Sequence, residues 1–161
     1  LNLIKQKLKY RPNPLKIIDN LISENKRKED IIQIHEKEKL VSLKEKVLKN
    51  TQIINGVNVI VTHLNIPTKS LKDMCFQLTK NEQNTFVFAS VISDNKLILN
   101  LALTEDLINN KKWDASDLIK IFSKSINGSG GGQNFFAVAS SNEISKIDDL
   151  QKTVISFLQN L

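Results

Sequence analysis

The sequence predicts an α+β protein, in which a long N-terminal helical arm precedes a compact domain with a mixed sheet of about four strands flanked by helices. Three observations support this fold class. The first third of the chain keeps a helical apolar period with no glycine, and with no proline after Pro14. The period changes to that of strands at Asn55-Gly56, and a helical pattern then separates two β-branched runs. We therefore assign residues 1–55 to the arm and residues 56–161 to the globular domain.

The arm begins with a recognisable helix start. Asn13 can cap a helix that has Pro14 in its first position, where the missing N–H costs nothing. The helix is expected to continue for about 35 residues with one narrow apolar stripe. Because Asn25 and Lys28 occupy seam positions of a heptad, a short hairpin or a docked arm is favoured over a long coiled coil. The stripe consists of Leu15, Ile18, Leu21, Ile22, Ile32, Leu40, Leu43 and Val47.

The globular domain is predicted from alternating strand and helix signals. A Gly-rich loop is predicted directly before its last strand. The polar segment 93–96 is typical of a hairpin turn between two strands. The predicted strands are residues 57–61, 85–92, 97–103 and 135–139. Three helices are predicted, which start at Pro67-Thr68, at the capping pair Asp114 and Asp117, and near Ile144. The first is expected to bury Leu71, Met74, Cys75 and Leu78, and the second Leu118, Phe122 and Ile126. The third is expected to bury Ile147, Leu150, Val154 and Leu158.

Composition excludes several classes of protein. No apolar run is long enough to span a bilayer, and a single cysteine rules out an internal disulfide framework. No Cys/His cluster has zinc-ligand spacing, so no metal site is expected. We expect a reduced, cytoplasmic chain without membrane association. Because it begins with Leu1 rather than Met, we also expect it to be a piece of a longer protein.

The positive charge is concentrated in the arm. Residues 1–50 hold 13 Lys and Arg against 7 Asp and Glu, whereas residues 51–161 hold 10 of each. The most basic stretch, LNLIKQKLKYRPNPLK, contains Tyr10, which could stack on a base. The chain is also rich in Lys, Asn and Ile, so a mutational bias toward these residues is the other explanation of the charge. Nucleic-acid binding by this stretch is therefore one of two interpretations.

The segment SINGSGGGQNFFAVAS contains four of the five glycines within five positions. Gly128 could be the left-handed C-cap of a helix, with the other glycines a slack connection. Three consecutive glycines exceed what a cap requires and favour close approach of a phosphate or another backbone. The loop leaves a helix and enters a strand, so the helix dipole gives a phosphate no help, and the GxGxxG and GxxxxGK[ST] patterns are absent. The predicted nucleic-acid contacts are Gly128, Gly130, Gly131, Gly132, Gln133, Lys120 and Lys124, which Lys111 and Lys112 could join.

No catalytic constellation is found. His35 and His63 stand without a neighbouring carboxylate or nucleophile that spacing justifies, and they are interpreted as surface or satisfied residues. Trp113 and Tyr10 are interpreted as packing or rim residues. No catalytic residue is therefore predicted in the chain.

A family resemblance rests on GVNVIVTHL, TKSLKDMCFQL, TFVFASVISDNKLILNLALTEDL and WDASDLIKIFSKSINGSGGGQNFFAVAS. Together these segments resemble the DHH-associated domain that ends alanyl-tRNA synthetases, over residues 56–161. The preceding NPLKIIDNLISENKRKEDIIQ is similar to the helical segment found before that domain. The chain departs from the family at Ser129, which interrupts the glycine run, and at Gln133 and Asn134, where many members have Arg and Pro.

The resemblance implies a tRNA-binding domain of an alanine–tRNA ligase that is not itself catalytic. Such a domain contacts the outer corner of tRNA(Ala) and links aminoacylation with editing in the other domains of the synthetase. It needs no cofactor, although the parent ligase would use ATP with magnesium and often zinc in its editing domain. In some members the helical part supports a homodimer.

Two alternatives stay open from the sequence. The same domain forms the accessory nucleic-acid-binding half of DHH-type phosphoesterases, where a His commonly follows the glycines; here Gln133 stands in that position. The third interpretation is a mainly structural dimerisation module that acts through the arm.

Overall fold

The computed structural model describes residues 14–161, which fall into two units. The first unit ends at Ser42, and the second comprises Leu43–Leu161. Each unit is described by itself below. The predicted boundary at residue 55 stays a prediction. None of the helices in the described part of the chain combines the length and the hydropathy that crossing a bilayer requires.

A single helix, α1, spans Pro14–Lys49. It begins at the proline that the sequence predicted, while the proposed cap Asn13 and the basic stretch with Tyr10 lie outside the described residues. The chain does not double back, so the hairpin interpretation of the arm is wrong. Most of its apolar side chains up to residue 41 are exposed, including Leu15 at 74% and Ile22 at 61%, whereas Ile17 and Leu40 are half-buried. Near the end of the helix, Val47 belongs to the second unit and is buried.

Residues 14–161 contain one mixed sheet of six strands, rather than the four that were predicted. The strand order is β1-β2-β3-β4-β6-β5. Strands β2 and β3 are parallel and are joined by helix α2 (Thr68–Thr79), as the strand, helix, strand pattern predicted; the other pairs are antiparallel. The strands are β1 (Gln52–Ile54), β2 (Val57–His63), β3 (Thr85–Ser93), β4 (Lys96–Leu103), β5 (Ser129–Gly132) and β6 (Phe136–Ser141).

The two strands that the sequence prediction missed are the outer strands of this sheet. Asn55 and Gly56 both have positive φ, at 51° and 76°, and form a tight turn between β1 and β2. The same geometry at Asp94 and Asn95 confirms the predicted β3–β4 hairpin. The glycine run is the second missed strand. Glycine has a low intrinsic strand preference, but here pairing with β6 fixes its backbone, so the prediction of a Gly-rich loop is wrong.

Helices cover both faces of the sheet and bury its apolar residues. The predicted inner face of α2 is confirmed, because Leu71, Met74, Cys75 and Leu78 are all buried. On the other face, Phe122 packs edge-to-face against Phe88 and Phe157, with ring centroids 5.8 and 5.3 Å apart. The helices are α2 (Thr68–Thr79), α3 (Glu105–Lys111), α4 (Ala115–Lys124) and α5 (Ile147–Gln159), with a 3₁₀ turn at Ile144–Lys146.

Side-chain hydrogen bonds cap the start of α4 and the end of α5. The Asp114 carboxylate accepts hydrogen bonds from the N–H groups of Ser116 (2.7 Å) and Asp117 (3.2 Å), which confirms it as the cap of α4. The Asn55 side-chain amide donates to the Leu158 carbonyl (3.1 Å), so the β1–β2 turn closes the last turn of α5. Within the described residues, no buried side-chain nitrogen or oxygen lacks a hydrogen-bond partner. Helix α3 was not predicted, because its single buried residue, Leu107, gives no period.

Candidate nucleic-acid interface

The glycines form the outermost strand of the sheet and so expose backbone rather than side chains. Gln133 donates its N–H to the Phe136 carbonyl at 2.8 Å. Because bonded and non-bonded pairs alternate in an antiparallel ladder, this bond assigns Gly131 to the residues bonded to β6. The N–H and C=O groups of Gly130 and Gly132 then point away from β6, at the free edge of the sheet. Such an edge offers donors and acceptors to a partner.

The four glycines of this segment differ in whether packing requires a residue without a side chain. A Cβ at Gly130 would overlap the backbone of Val138 and Ala139, and one at Gly132 would overlap the carbonyl of Phe136. A Cβ at Gly128 would lie 2.8 Å from the Ser140 carbonyl oxygen. These three glycines therefore allow close approach of β6. At Gly131 a Cβ would meet nothing nearer than 3.8 Å, so packing does not require glycine there.

The turn before β5 corrects the C-cap interpretation of Gly128. The left-handed residue is Asn127, with φ of 51°, and not Gly128. Asn127 donates its N–H to the Lys124 carbonyl (3.2 Å) and Gly128 donates to the Ser123 carbonyl (2.8 Å). This pair of bonds is the Schellman motif, with Asn in place of the usual Gly. Gly128 uses its N–H inside the fold, so it has no free donor for a phosphate.

Helix α4 packs along β5 and supplies the predicted lysines. Lys120 lies opposite Gly131, since its Cε would be 4.0 Å from a Cβ at that glycine. Lys124 lies one turn further along the same helix face, and both lysines are exposed. The Lys120 ammonium is 3.4 Å from the Asp117 carboxylate in an exposed pair, which solvent screens. The structure thus brings Gly131 and Lys120 together and places Lys124 on the same face.

The β5–β6 hairpin turn contains Gln133 and Asn134, which directly follow the glycine strand. Gln133 and Asn134 are exposed, and the Asn134 carbonyl accepts the N–H of Ala115 (2.9 Å) at the start of α4. The Lys111 ammonium lies 5.5 Å from the Trp113 ring centroid, which indicates a cation–π contact. Because β5 spans Ser129–Gly132, Gln133 lies at one end of this strand and Gly128 at the other.

Ser116 is a site residue that the sequence analysis missed. A Cβ at Gly131 would lie 3.8 Å from its hydroxyl oxygen, so Ser116 faces the same glycine as Lys120. The signal was available in the sequence, since Ser116, Lys120 and Lys124 follow one another at intervals of four on α4.

The described residues contain no group of His, Cys, Asp and Glu side chains that could hold a metal ion. Burial raises the pKa of the Cys75 thiol to about 12, and the hydrogen bond with Asn100 only partly offsets it, so this thiol stays protonated and is not a nucleophile. The interpretation of both histidines as surface or satisfied residues is confirmed, although His35, contrary to the sequence analysis, does have a neighbouring carboxylate. The His35 imidazole lies 3.4 Å from the Glu38 carboxylate, and the His63 Nδ1 lies 3.1 Å from the Ser90 hydroxyl.

Comparisons with known proteins agree with this architecture. The DHHA1 domain family matches residues 56–160. The chain is 30% identical over 156 residues to the alanine–tRNA ligase of Christiangramia forsetii, covering 97% of this chain and 18% of that protein. It is 37% identical over 125 residues to the alanine–tRNA ligase of Bacteroides fragilis, covering 77% of this chain and 14% of that protein. The chain therefore spans less than a fifth of the length of these relatives.

The fold also matches a solved structure. The crystal structure of the C-Ala domain from Aquifex aeolicus alanyl-tRNA synthetase superposes with a TM-score of 0.62 at 14% identity, covering 68% of this chain and 98% of that domain. At this identity the match supports the fold. The chain belongs to the DHHA1 domain family, and its relatives in that family are alanine–tRNA ligases.

Proposed function

We propose that this chain is the C-terminal tRNA-binding domain of an alanine–tRNA ligase. In this role it contacts the outer corner of tRNA(Ala) and holds the tRNA so that the aminoacylation and editing domains act on one molecule. The chain contributes binding and no chemistry of its own. ATP, magnesium and an editing-domain zinc belong to the other domains of the parent ligase, which we place in the cytoplasm.

The observation that carries the proposal is the free glycine edge beside a row of lysines. The outward N–H groups of Gly130 and Gly132 can donate to phosphate or ribose oxygens, because neither residue has a side chain that would shield them. Lys120 and Lys124 supply positive charge on the adjacent helix face. RNA helices are recognised mostly by shape and by contacts to phosphates and 2′-hydroxyls, which suits a surface made of backbone and charge.

The charge of this surface predicts a salt-dependent affinity. Each phosphate that a lysine neutralises contributes about 0.7 to 0.9 to the slope of log K against log salt. Reversing both Lys120 and Lys124 to Glu should therefore lower the slope for tRNA(Ala) by about 1.5. A gel-shift titration of the whole chain at several salt concentrations measures this slope.

Lys152→Glu is the matched control for the lysine variants. Lys152 is exposed on α5 and pairs with Asp149 at 3.9 Å, much as Lys120 pairs with Asp117. Its reversal should leave the slope unchanged. Equal losses in the control and in the α4 variants would mean that net charge, and not this surface, attracts the RNA. Preference for single-stranded DNA over tRNA would favour the phosphoesterase-like role instead.

The glycine edge is tested at Gly131. Valine at this position adds branches beside Ser116 and Lys120, where the RNA backbone would approach. We expect Gly131→Val to weaken tRNA(Ala) binding by about 1–3 kcal/mol, the scale for losing one charge-assisted hydrogen bond, because its branches would crowd the contact between a phosphate and Lys120. The thermal midpoint should change little, because a Cβ there meets no atom nearer than 3.8 Å. Unchanged binding with a large loss of stability would overturn this assignment.

A second role, homodimerisation through α1, is favoured by the exposed apolar side chains of that helix. Leu21, Ile22 and Ile32 are 48%, 61% and 55% exposed. A stripe of this kind is stabilised when another copy covers it. Sedimentation velocity should detect a dimer that Ile22→Asp dissociates, while Asn20→Asp on the opposite side of α1 leaves it intact. A monomer at all concentrations would exclude this role.

A further inference from the structure

A cavity of about 600 Å³ opens where α2, α3 and the β5–β6 hairpin meet, and neither Lys120 nor Lys124 of α4 lines it. This volume lies within the range of pockets that hold small molecules. The lining combines apolar, amide and carboxylate side chains and contains no lysine or arginine. Its principal members are Thr79, Glu82, Glu105, Asn109, Asn134 and Phe135.

Two carboxylates in this cavity are available as acceptors. The side-chain carboxylates of Glu82 and Glu105 form no hydrogen bond or ion pair with any other residue that the structure describes, although the Glu82 backbone N–H donates to the Thr79 carbonyl. They also line an adjoining cavity of about 360 Å³, so they stand at the boundary between the two. Asp106, in that second cavity, is already engaged by the Asn84 N–H at 2.5 Å. An ionised carboxylate can only accept, so a ligand of this wall must present N–H or O–H donors.

The third wall of the cavity is aromatic. Phe135 is 43% exposed, and its ring centroid lies 6.5 Å from that of Phe76. Phe76 also packs against Phe136 at 4.9 Å, and the Lys72 ammonium lies over both rings at 5.7 and 5.6 Å. The Phe135 ring is therefore supported from behind and still presents accessible surface. Flat, accessible rings of this kind stack with nucleobases.

We propose that this cavity binds one unstacked purine base, with guanine preferred. The base stacks on Phe135, and its adjacent N1–H and N2–H₂ donors bond to Glu82 or Glu105. The Asn109 side-chain amide is within the same lining and can bond to the remaining base edge. Guanine is favoured because it offers two neighbouring donors to a carboxylate, whereas uracil offers one and inosine's base lacks the 2-amino group.

The inference rests on the proposed function for the source of the base, which is a strand of RNA bound at β5. Asn134 joins the two sites, since it belongs to the hairpin of the glycine strand and lines the cavity. Carboxylates in the cavity repel phosphate, so the sugar–phosphate backbone stays outside, toward Lys72 and the glycine edge. The cavity then recognises the base, and the glycine edge of β5 binds the sugar–phosphate backbone.

The test uses the whole 161-residue chain, labelled with ¹⁵N, and free nucleosides as probes. Guanosine should shift the Asn109 side-chain amide and the Phe135 backbone resonance, inosine should bind more weakly, and uridine weakest. Phe135→Leu keeps the apolar bulk and removes the aromatic face, so it should weaken guanosine binding about tenfold. Glu82→Gln with Glu105→Gln should abolish the preference for guanosine over inosine. Glu143→Gln, which changes a half-buried carboxylate that lines neither cavity, is the control and should change nothing.

Three results would overturn the proposal. Guanosine could cause no shift up to its solubility limit, or all nucleosides could bind equally well. The amide of Nα-acetyl-lysine could instead shift the same resonances while guanosine does not, which would make the cavity a site for a basic protein side chain. Because free nucleosides need neither Gly131 nor the α4 lysines, failure of tRNA binding in those variants is distinguishable from failure of this site.

Discussion

Helices α1 and α4 have the same apolar period, yet they differ in how far their apolar side chains are buried. In α4, Ile119 and Phe122 are 0% and 1% exposed, because the sheet and α5 cover that face. In α1, Ile22 and Ile32 remain 61% and 55% exposed. A helical period therefore predicts the element and its apolar face, but not a covering partner. The stability of α4 comes from packing, whereas α1 up to residue 42 depends on local preference or on another molecule.

The largest expected effect lies in the α4 core. Phe122→Ala should lower the free energy of unfolding by about 3–5 kcal/mol, since it leaves a cavity among Phe88 and Phe157. Ile22→Ala in α1 should change it by less than about 0.5 kcal/mol in the monomer. Urea unfolding followed by circular dichroism measures both. Similar losses for the two variants would show that α1 is covered in the isolated chain.

Truncation sharpens the boundary between the two units. Residues 43–161 should unfold cooperatively, because this unit contains the whole sheet. Removing residues 43–50 as well, to leave 51–161, should cost about 1.5–3 kcal/mol more, since Val47 is 6% exposed. Val47→Ala in the longer fragment should reproduce part of that loss. If both fragments are equally stable, the end of α1 does not belong to the core.

The glycine strand offers a comparison between neighbours. Gly132→Ala forces a Cβ against the Phe136 carbonyl and should cost about 1–3 kcal/mol, as overpacking does. Gly131→Ala should stay within about 0.5 kcal/mol of the parent chain. Thermal unfolding of the two variants, at the same pH and salt, gives the difference. A Gly131→Ala variant as unstable as Gly132→Ala would mean that close packing against β6 does not distinguish the two glycines.

The smallest effect concerns the pH dependence of Asp106. Burial acts to raise its pKa, but hydrogen bonds from the Thr104 side chain and the Asn84 N–H outweigh this and hold the pKa below its ordinary value. A carboxylate with a lowered folded-state pKa contributes stability above its unfolded pKa of about 4 and loses it as pH falls further. The midpoint difference between the parent chain and Asp106→Asn should therefore be constant from pH 7 to about 5 and shrink below about 4. A difference that increases in acid would contradict this.

The sequence predicted the elements that carry a strong local signal. Four interior strands, the buried face of α2 and the Asp114 cap follow from period and capping chemistry. The outer strands could not be predicted in this way, since Gln52–Ile54 is too short for a period and glycines prefer no strand. Their conformation is set by pairing with the adjacent strands β2 and β6, and a local periodic pattern does not show such pairing.

The candidate site was predicted by residue type more successfully than by geometry. The glycines and Lys120 do meet, but three of the four glycines are required by the backbone of β6. The distinction between Gly131 and its neighbours depends on tertiary distances. The cavity near Phe135 gave no sequence signal, because its carboxylates and its ring come from three separate segments.

The two Asn-Gly turns have a consequence for the chemical ageing of the chain. At Asn-Gly the following backbone nitrogen attacks the side-chain carbonyl and releases ammonia, since glycine offers no steric hindrance. In this fold Gly128 donates its N–H to the Ser123 carbonyl at 2.8 Å, and the Asn55 amide is held by the Leu158 carbonyl at 3.1 Å. Deamidation at both sites should then require local opening, so its rate measures how often the α4–β5 and β1–β2 turns open. Mass spectrometry in native buffer and in urea would detect this protection, and equal rates in the two solvents would refute it.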